Sequence, residues 1–135
     1  MGMGPGVADL DDETIAFAHR MFDLARSGDT GELIANVAAG LPANLTNDKG
    51  DTLLILAAYH SHTDTVAALL AHGADPERIN DRGQSALAAA VFRRNAEAVR
   101  TLLAAGADPA SARPTAEFFK LPEMMEMLDS AAGSR

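Results

Sequence analysis

The chain has no cysteine and no tryptophan, a single tyrosine, and only 11 Lys and Arg against 19 Asp and Glu. Without cysteine, disulfides, thiolate zinc sites and cysteine nucleophiles are excluded. No stretch approaches the ~18 consecutive apolar residues that a membrane-spanning helix needs. The opening MGMGPGVADLDDE is acidic where a secretory signal is basic and apolar, so a cytoplasmic protein is expected. A myristoylated Gly2 would want Ser or Thr four residues on, and Gly6 stands there. The deficit of basic residues leaves a formal charge of −8. That charge repels nucleic acid and anionic lipid and suits a neutral or basic protein partner, although it also serves plain solubility.

What the chain does have is repetition. LLAHGADP ends one hydrophobic run and LLAAGADP ends another. Gly50 pairs with Gly83, Leu69 and Leu70 with Leu102 and Leu103, and Gly73 to Pro76 with Gly106 to Pro109, always 33 residues apart. Residues 47–79 and 80–112 agree at 13 of 33 positions. A fixed period of this length is the mark of a solenoid, in which each unit buries its apolar face against the next.

Each unit carries the same local instructions. Asn47-Asp48-Lys49-Gly50 is a turn that uses glycine's tolerance of positive φ. The Thr52 hydroxyl can cap the helix LLILAAYH, and Ser85 can cap ALAAAVF. Ser61-His62-Thr63-Asp64 breaks the chain before a second helix, TVAALLAHG, which places Val66, Leu69 and Leu70 on one face. Gly73 and Gly106 stop the second helices, and the Asp-Pro that follows forbids their continuation. The many alanines let neighbouring helices approach closely.

The flanks are degenerate copies. Counting back 33 residues from Val66, Leu70 and Gly73 reaches Leu33, Val37 and Gly40, so GDTGELIANVAAG is another second helix. Its partner reads as one long helix from Asp12 to Ser27. At the other end TAEFFKL and PEMMEMLDSAA make a shortened pair, in which Met124, Met127 and Leu128 correspond to Val99, Leu102 and Leu103. Two of the methionines are expected to cover the last open face, and one of Phe118 and Phe119 to be partly exposed. The expected organisation is a flexible acidic tail over 1–11, repeat units over 12–46, 47–79, 80–112 and 113–130, and a flexible C-terminus over 131–135.

The order of turn, G-x-T, short helix, break, a helix ending V-x-x-L-L, and then G-A-D-P resembles the ankyrin repeat family. GDTLLILAAYHSHTDTVAALLAHGADP carries the resemblance most fully, and RGQSALAAAVFRRNAEAVRTLLAAGADP carries it in part. The whole chain is similar to the small stand-alone ankyrin proteins of bacteria. The resemblance implies an all-α solenoid of about four stacked helix-turn-helix units with degenerate capping ends. It also implies a non-catalytic role, the binding of another protein. The family's Thr-Pro-Leu-His is replaced by Thr52-Leu53-Leu54-Ile55 and Ser85-Ala86-Leu87-Ala88. With it goes the histidine that in other members ties neighbouring turns, so less rigid fingers are expected. The first unit has no fingertip.

No catalytic set emerges. Of His19, His60, His62 and His72, only His60 and His62 stand close, and no third metal ligand lies at useful spacing. His72 suits the last turn of a helix, where positive charge is favoured. Asp11-Asp12-Glu13 lacks an apolar surround that would raise a carboxyl pKa for acid catalysis. Gly2, Gly4 and Gly6 follow no strand and precede no Lys-Ser or Lys-Thr, so they form no phosphate loop. No enzyme activity, metal or cofactor is expected.

Carried onto this chain, the family's concave surface comprises the turn tips Asp48, Lys49 and Asp51 in one unit and Asp81, Arg82 and Gln84 in the next. At the ends of the first helices it comprises Tyr59 with His60 and Phe92 with Arg93, with Arg26 and Ser27 one unit back. Tyr59 and Phe92 either form an aromatic stripe for a partner or pack over the neighbouring helix ends. Three uses stay open: a scaffold binding one protein, a small acidic inhibitor or antitoxin-like mask of a basic enzyme, and a self-associating structural domain. A monomer or weak dimer is expected, without nucleic-acid or membrane binding.

Overall fold

A computed structural model describes residues 12–133; the expected acidic tail, 1–11, and the last two residues lie outside them. Eight α-helices follow one another among the described residues: α1 Asp12–Ser27, α2 Thr30–Ala38, α3 Leu53–Tyr59, α4 Thr63–Ala71, α5 Ala86–Phe92, α6 Ala96–Ala104, α7 Arg113–Phe118 and α8 Pro122–Gly133. A 3₁₀ turn, Pro109–Ser111, leads into α7. The odd-numbered helices pack in one layer, α1 on α3, α3 on α5 and α5 on α7, and the even-numbered ones in a second. The result is an all-α solenoid of about four helix-turn-helix units.

Local chemistry starts and stops each helix. Thr52 Oγ1 accepts from the Ile55 amide at 3.0 Å and Ser85 Oγ from the Ala88 amide at 3.1 Å. Asn95 Oδ1 does the same for Ala98 at the head of α6. Ahead of α3 and α5 the chain makes a hairpin finger closed by a single bridge, Thr46 to Thr52 and Ile79 to Ser85. In each finger one asparagine organises the loop: Asn47 Oδ1 accepts from the amides of Lys49 and Asp51, and Asn80 Oδ1 from those of Arg82 and Gln84, all at 2.9 Å. These are side-chain mimics of a backbone turn.

The core lies between the two layers. Leu33, Leu53, Leu54, Leu69, Leu87, Leu102 and Leu128 are fully buried, each worth about 1.5–3 kcal/mol relative to exposure. In α5 four alanines, Ala86, Ala88, Ala89 and Ala90, are buried as well, and their small side chains admit α3 and α7 on either side. At one end α1 covers the stack with Met21, Phe22, Leu24 and Ala25. At the other, α8 buries Met124 and Leu128, with Met125 and Met127 half-buried against the core.

In the C-terminal unit one expectation holds to within a residue, and the one that only one of Phe118 and Phe119 is exposed is corrected. The last helix runs to Gly133, one residue beyond the stretch PEMMEMLDSAA, because Ala131 and Ala132 are good helix formers and nothing interrupts them. Phe118 and Phe119 are both exposed, at 78% and 41%. Helix α7 is only six residues long and buries Ala116 alone, so it has no inward position left for either ring.

The fingers are tied together without the family histidine. Asn80 Nδ2 donates to Asp51 Oδ1 at 2.8 Å, and the Asp81 amide donates to the Lys49 carbonyl at 3.0 Å. The return loops are joined likewise, Asp75 N to Asn44 Oδ1 at 2.7 Å and Asp108 N to Glu77 Oε2 at 3.0 Å. His62 Nε2 donates to the Arg26 carbonyl at 2.8 Å, so a histidine does bridge units, at the opposite end of the inner helices.

Candidate partner-binding groove

Fingers on one side and the ends of the inner helices on the other leave a trough along the stack. Its central hollow, about 440 Å³, is lined by Asn47, Asp48, Lys49 and Asp51 from the first finger and Arg82 and Gln84 from the second. Ile55, Leu56, Tyr59 and His60 of α3 and its cap form the floor and far wall, beside Arg26. A second hollow of about 600 Å³ adjoins it across Arg26, Asn47 and Asp48, against α1 and Phe22. A third, about 290 Å³, continues past Arg82 and Gln84 to Ala88 and Thr115.

Of the residues expected at the concave surface, Asp48, Lys49, Asp51, Tyr59, His60, Arg82 and Gln84 therefore meet around one hollow. Asp81 sits between the fingers, with Lys49, Asp51, Asn80 and Arg82. Phe92 and Arg93 stand outside the central hollow and join it through the Tyr59 ring. Phe92 stacks on that ring with centroids 5.9 Å apart, and the Arg93 guanidinium lies 5.7 Å from the ring centre. The two rings pack on one another and remain half-exposed. Asp51 and Gln84 have a structural task besides, since both accept from Asn80 Nδ2.

The ladder goes further than the 33-residue count reveals. Phe119 meets Phe92 edge-on at 5.3 Å, and Phe118 meets Phe119 at 4.9 Å. The shortened last unit breaks the register, so period counting misses this pair; only alignment on the helix ends finds it. Arg26 occupies the Tyr59 position one unit earlier and is held by Asp23 at 2.8 Å.

Electrostatics at the helix ends are positive. Desolvation first, and then the charges of His62, Arg26 and Arg93, hold the His60 imidazole below its usual range. The ring is thus mainly neutral at pH 7. Among the described residues no group of three or more His, Cys, Asp or Glu is placed to hold a metal ion. No helix among them is long and apolar enough to cross a membrane.

Residues 21–112 match the family described as ankyrin repeats, in three copies. The chain belongs to the ankyrin repeat family. A Pseudomonas aeruginosa protein named for its ankyrin repeats is 55% identical over 58 residues, which is 43% of this chain and 34% of that protein. The matched stretch thus spans about a third of the length of that curated relative. Ankyrin repeats are characteristically non-catalytic, and this chain shares their general character as a protein–protein interaction module.

Proposed function

We propose that this ankyrin chain binds a partner protein through the trough between its fingers and the ends of its inner helices. One observation carries the reading. Residues from three successive units, Arg26, Lys49, Asp51, Tyr59, His60, Arg82 and Gln84, converge on one open hollow flanked by two others. Such a surface is too open and too polar for a small molecule to bury most of itself. It suits an extended or helical element of another protein, with Tyr59 and Phe92 as the aromatic anchors that dominate such contacts.

The test is capture from a lysate of the source organism with the wild-type chain and with the Tyr59→Ala/Phe92→Ala variant as matched bait. The expected result is one stoichiometric partner held by the wild type and lost by the variant, while circular dichroism shows the variant still folded. Losing two anchors of this kind costs about 2 kcal/mol or more each at a hot spot. Equal retention by both baits would remove the trough as the binding surface.

A further inference from the structure

The net charge of the chain is strongly acidic, yet the trough does not share it evenly. Along the helix ends, α3 and α5 carry no carboxylate at all. Asp23 on α1 is engaged by Arg26, and Glu117 on α7 lies one turn before Lys120. Against these stand Arg93 after α5 and Lys120 after α7, which among the described residues enter no salt bridge. Both are exposed. The carboxylates of the trough, Asp48, Asp51 and Asp81, sit on the opposite, finger side and are offset there by Lys49 and Arg82. The trough is therefore polarised across its width.

Resting on the proposed function above, we infer that the Tyr59–Phe92–Phe119 row, with Arg93 and Lys120 beside it, receives an acidic peptide segment of the partner protein that also carries an aromatic or aliphatic side chain. The row provides both halves of that recognition. Neighbouring ring centroids lie 5.9 and 5.3 Å apart, so the row reaches at most about 11 Å, the length of about three extended residues, and its rings are half-buried or exposed. The Arg93 guanidinium lies over the Tyr59 ring, a position that orients the planar fork while its N–H edges remain available for a carboxylate. A basic segment would meet Arg93 and Lys120 as like charges. A purely apolar one would leave them unpaired in a dehydrated contact.

The experiment is selection of peptides from a random-peptide display library on the full chain, followed by fluorescence anisotropy of the enriched peptides. Asp and Glu flanking an aromatic or aliphatic residue are expected to be enriched. Affinity should fall with rising salt, and by about tenfold or more in Arg93→Glu. Arg93→Gln should fall between. Arg100→Glu alters the net charge equally but lies on α6, in the other helix layer, and should change affinity less than about twofold. The Arg93 side chain is exposed, so circular dichroism should show every variant folded. Enriched peptides that are basic or uncharged, yet lost in Tyr59→Ala/Phe92→Ala, would overturn the acidic assignment and leave the trough reading standing. Peptides indifferent to all of these variants, or no enrichment, would overturn both.

Discussion

Gly50 and Gly83 hold the same place in successive fingers, with φ of 79° and 74°, but their surroundings differ. A Cβ on Gly50 would lie 2.6 Å from Asp81 Oδ1, 2.9 Å from the Asp81 amide nitrogen and 3.2 Å from the Asn80 Cα. A Cβ on Gly83 would meet nothing within 4 Å, because the shortened last unit has no finger. Left-handed backbone costs alanine about 1–2 kcal/mol, offset by about 0.4–1 kcal/mol from a stiffer unfolded chain. Gly83→Ala should therefore cost no more than about 1.6 kcal/mol. Gly50→Ala carries the same term and must also push the second finger away by its backbone, which cannot simply rotate aside. That strains the Asp81–Lys49 and Asn80–Asp51 hydrogen bonds, each worth about 0.5–3 kcal/mol depending on charge. The expected total for Gly50→Ala is about 2–4 kcal/mol. Urea unfolding followed by circular dichroism, with slopes compared to confirm a common unfolded state, measures both variants. Equal losses would refute the reasoning, since the finger-to-finger contact would then contribute nothing to stability.

Other outcomes follow from single residues. Thr52→Ala and Ser85→Ala each remove the only side-chain cap of an inner helix and should each lower unfolding free energy by about 1 kcal/mol, measured by the same titration. Arg94 holds φ of 58° on an exposed position, so Arg94→Gly should raise stability by up to about 1 kcal/mol, seen as a higher urea midpoint. Leu87 is fully buried in the middle of the stack, and Leu87→Ala should cost about 2–5 kcal/mol. His60 binds its proton less readily folded than unfolded. Its contribution is thus fully present above the unfolded pKa of about 6.5 and declines as pH falls from there toward the lower folded value. His60→Gln should flatten that part of the stability–pH curve, and an unchanged slope would assign it to other groups.

Much of the fold was legible because its signals are local. Thr52 and Ser85 cap the helices that begin beside them, and Asn47 and Asn80 shape loops within four residues of themselves. Period counting also located the finger residues and the Tyr59–Phe92 pair. It did not reach Phe119, whose unit is out of register, nor the second role of Asn80, which binds its own finger with Oδ1 and the preceding one with Nδ2. The backbone also repeats where the residues do not. Gly28, Ser61 and Arg94, spaced 33 apart, all take positive φ, although only the first advertises it. The shared geometry comes from the bend between inner and outer helix, which packing imposes on whatever side chain stands there. At Gly28 the bend is tight enough that a Cβ would lie 2.5 Å from the His62 ring of the next unit.

The amino-acid sequence by itself determined the repeat length, the helix starts and stops, the apolar faces and the family, because each depends on groups a few residues apart. Tertiary structure alone decided which finger groups touch, that Phe119 joins the Tyr59–Phe92 pair, and that Arg93 lies over the Tyr59 ring. Those properties arise between units, where residues about thirty positions apart are brought to within hydrogen-bonding distance, and no local pattern encodes which of them meet.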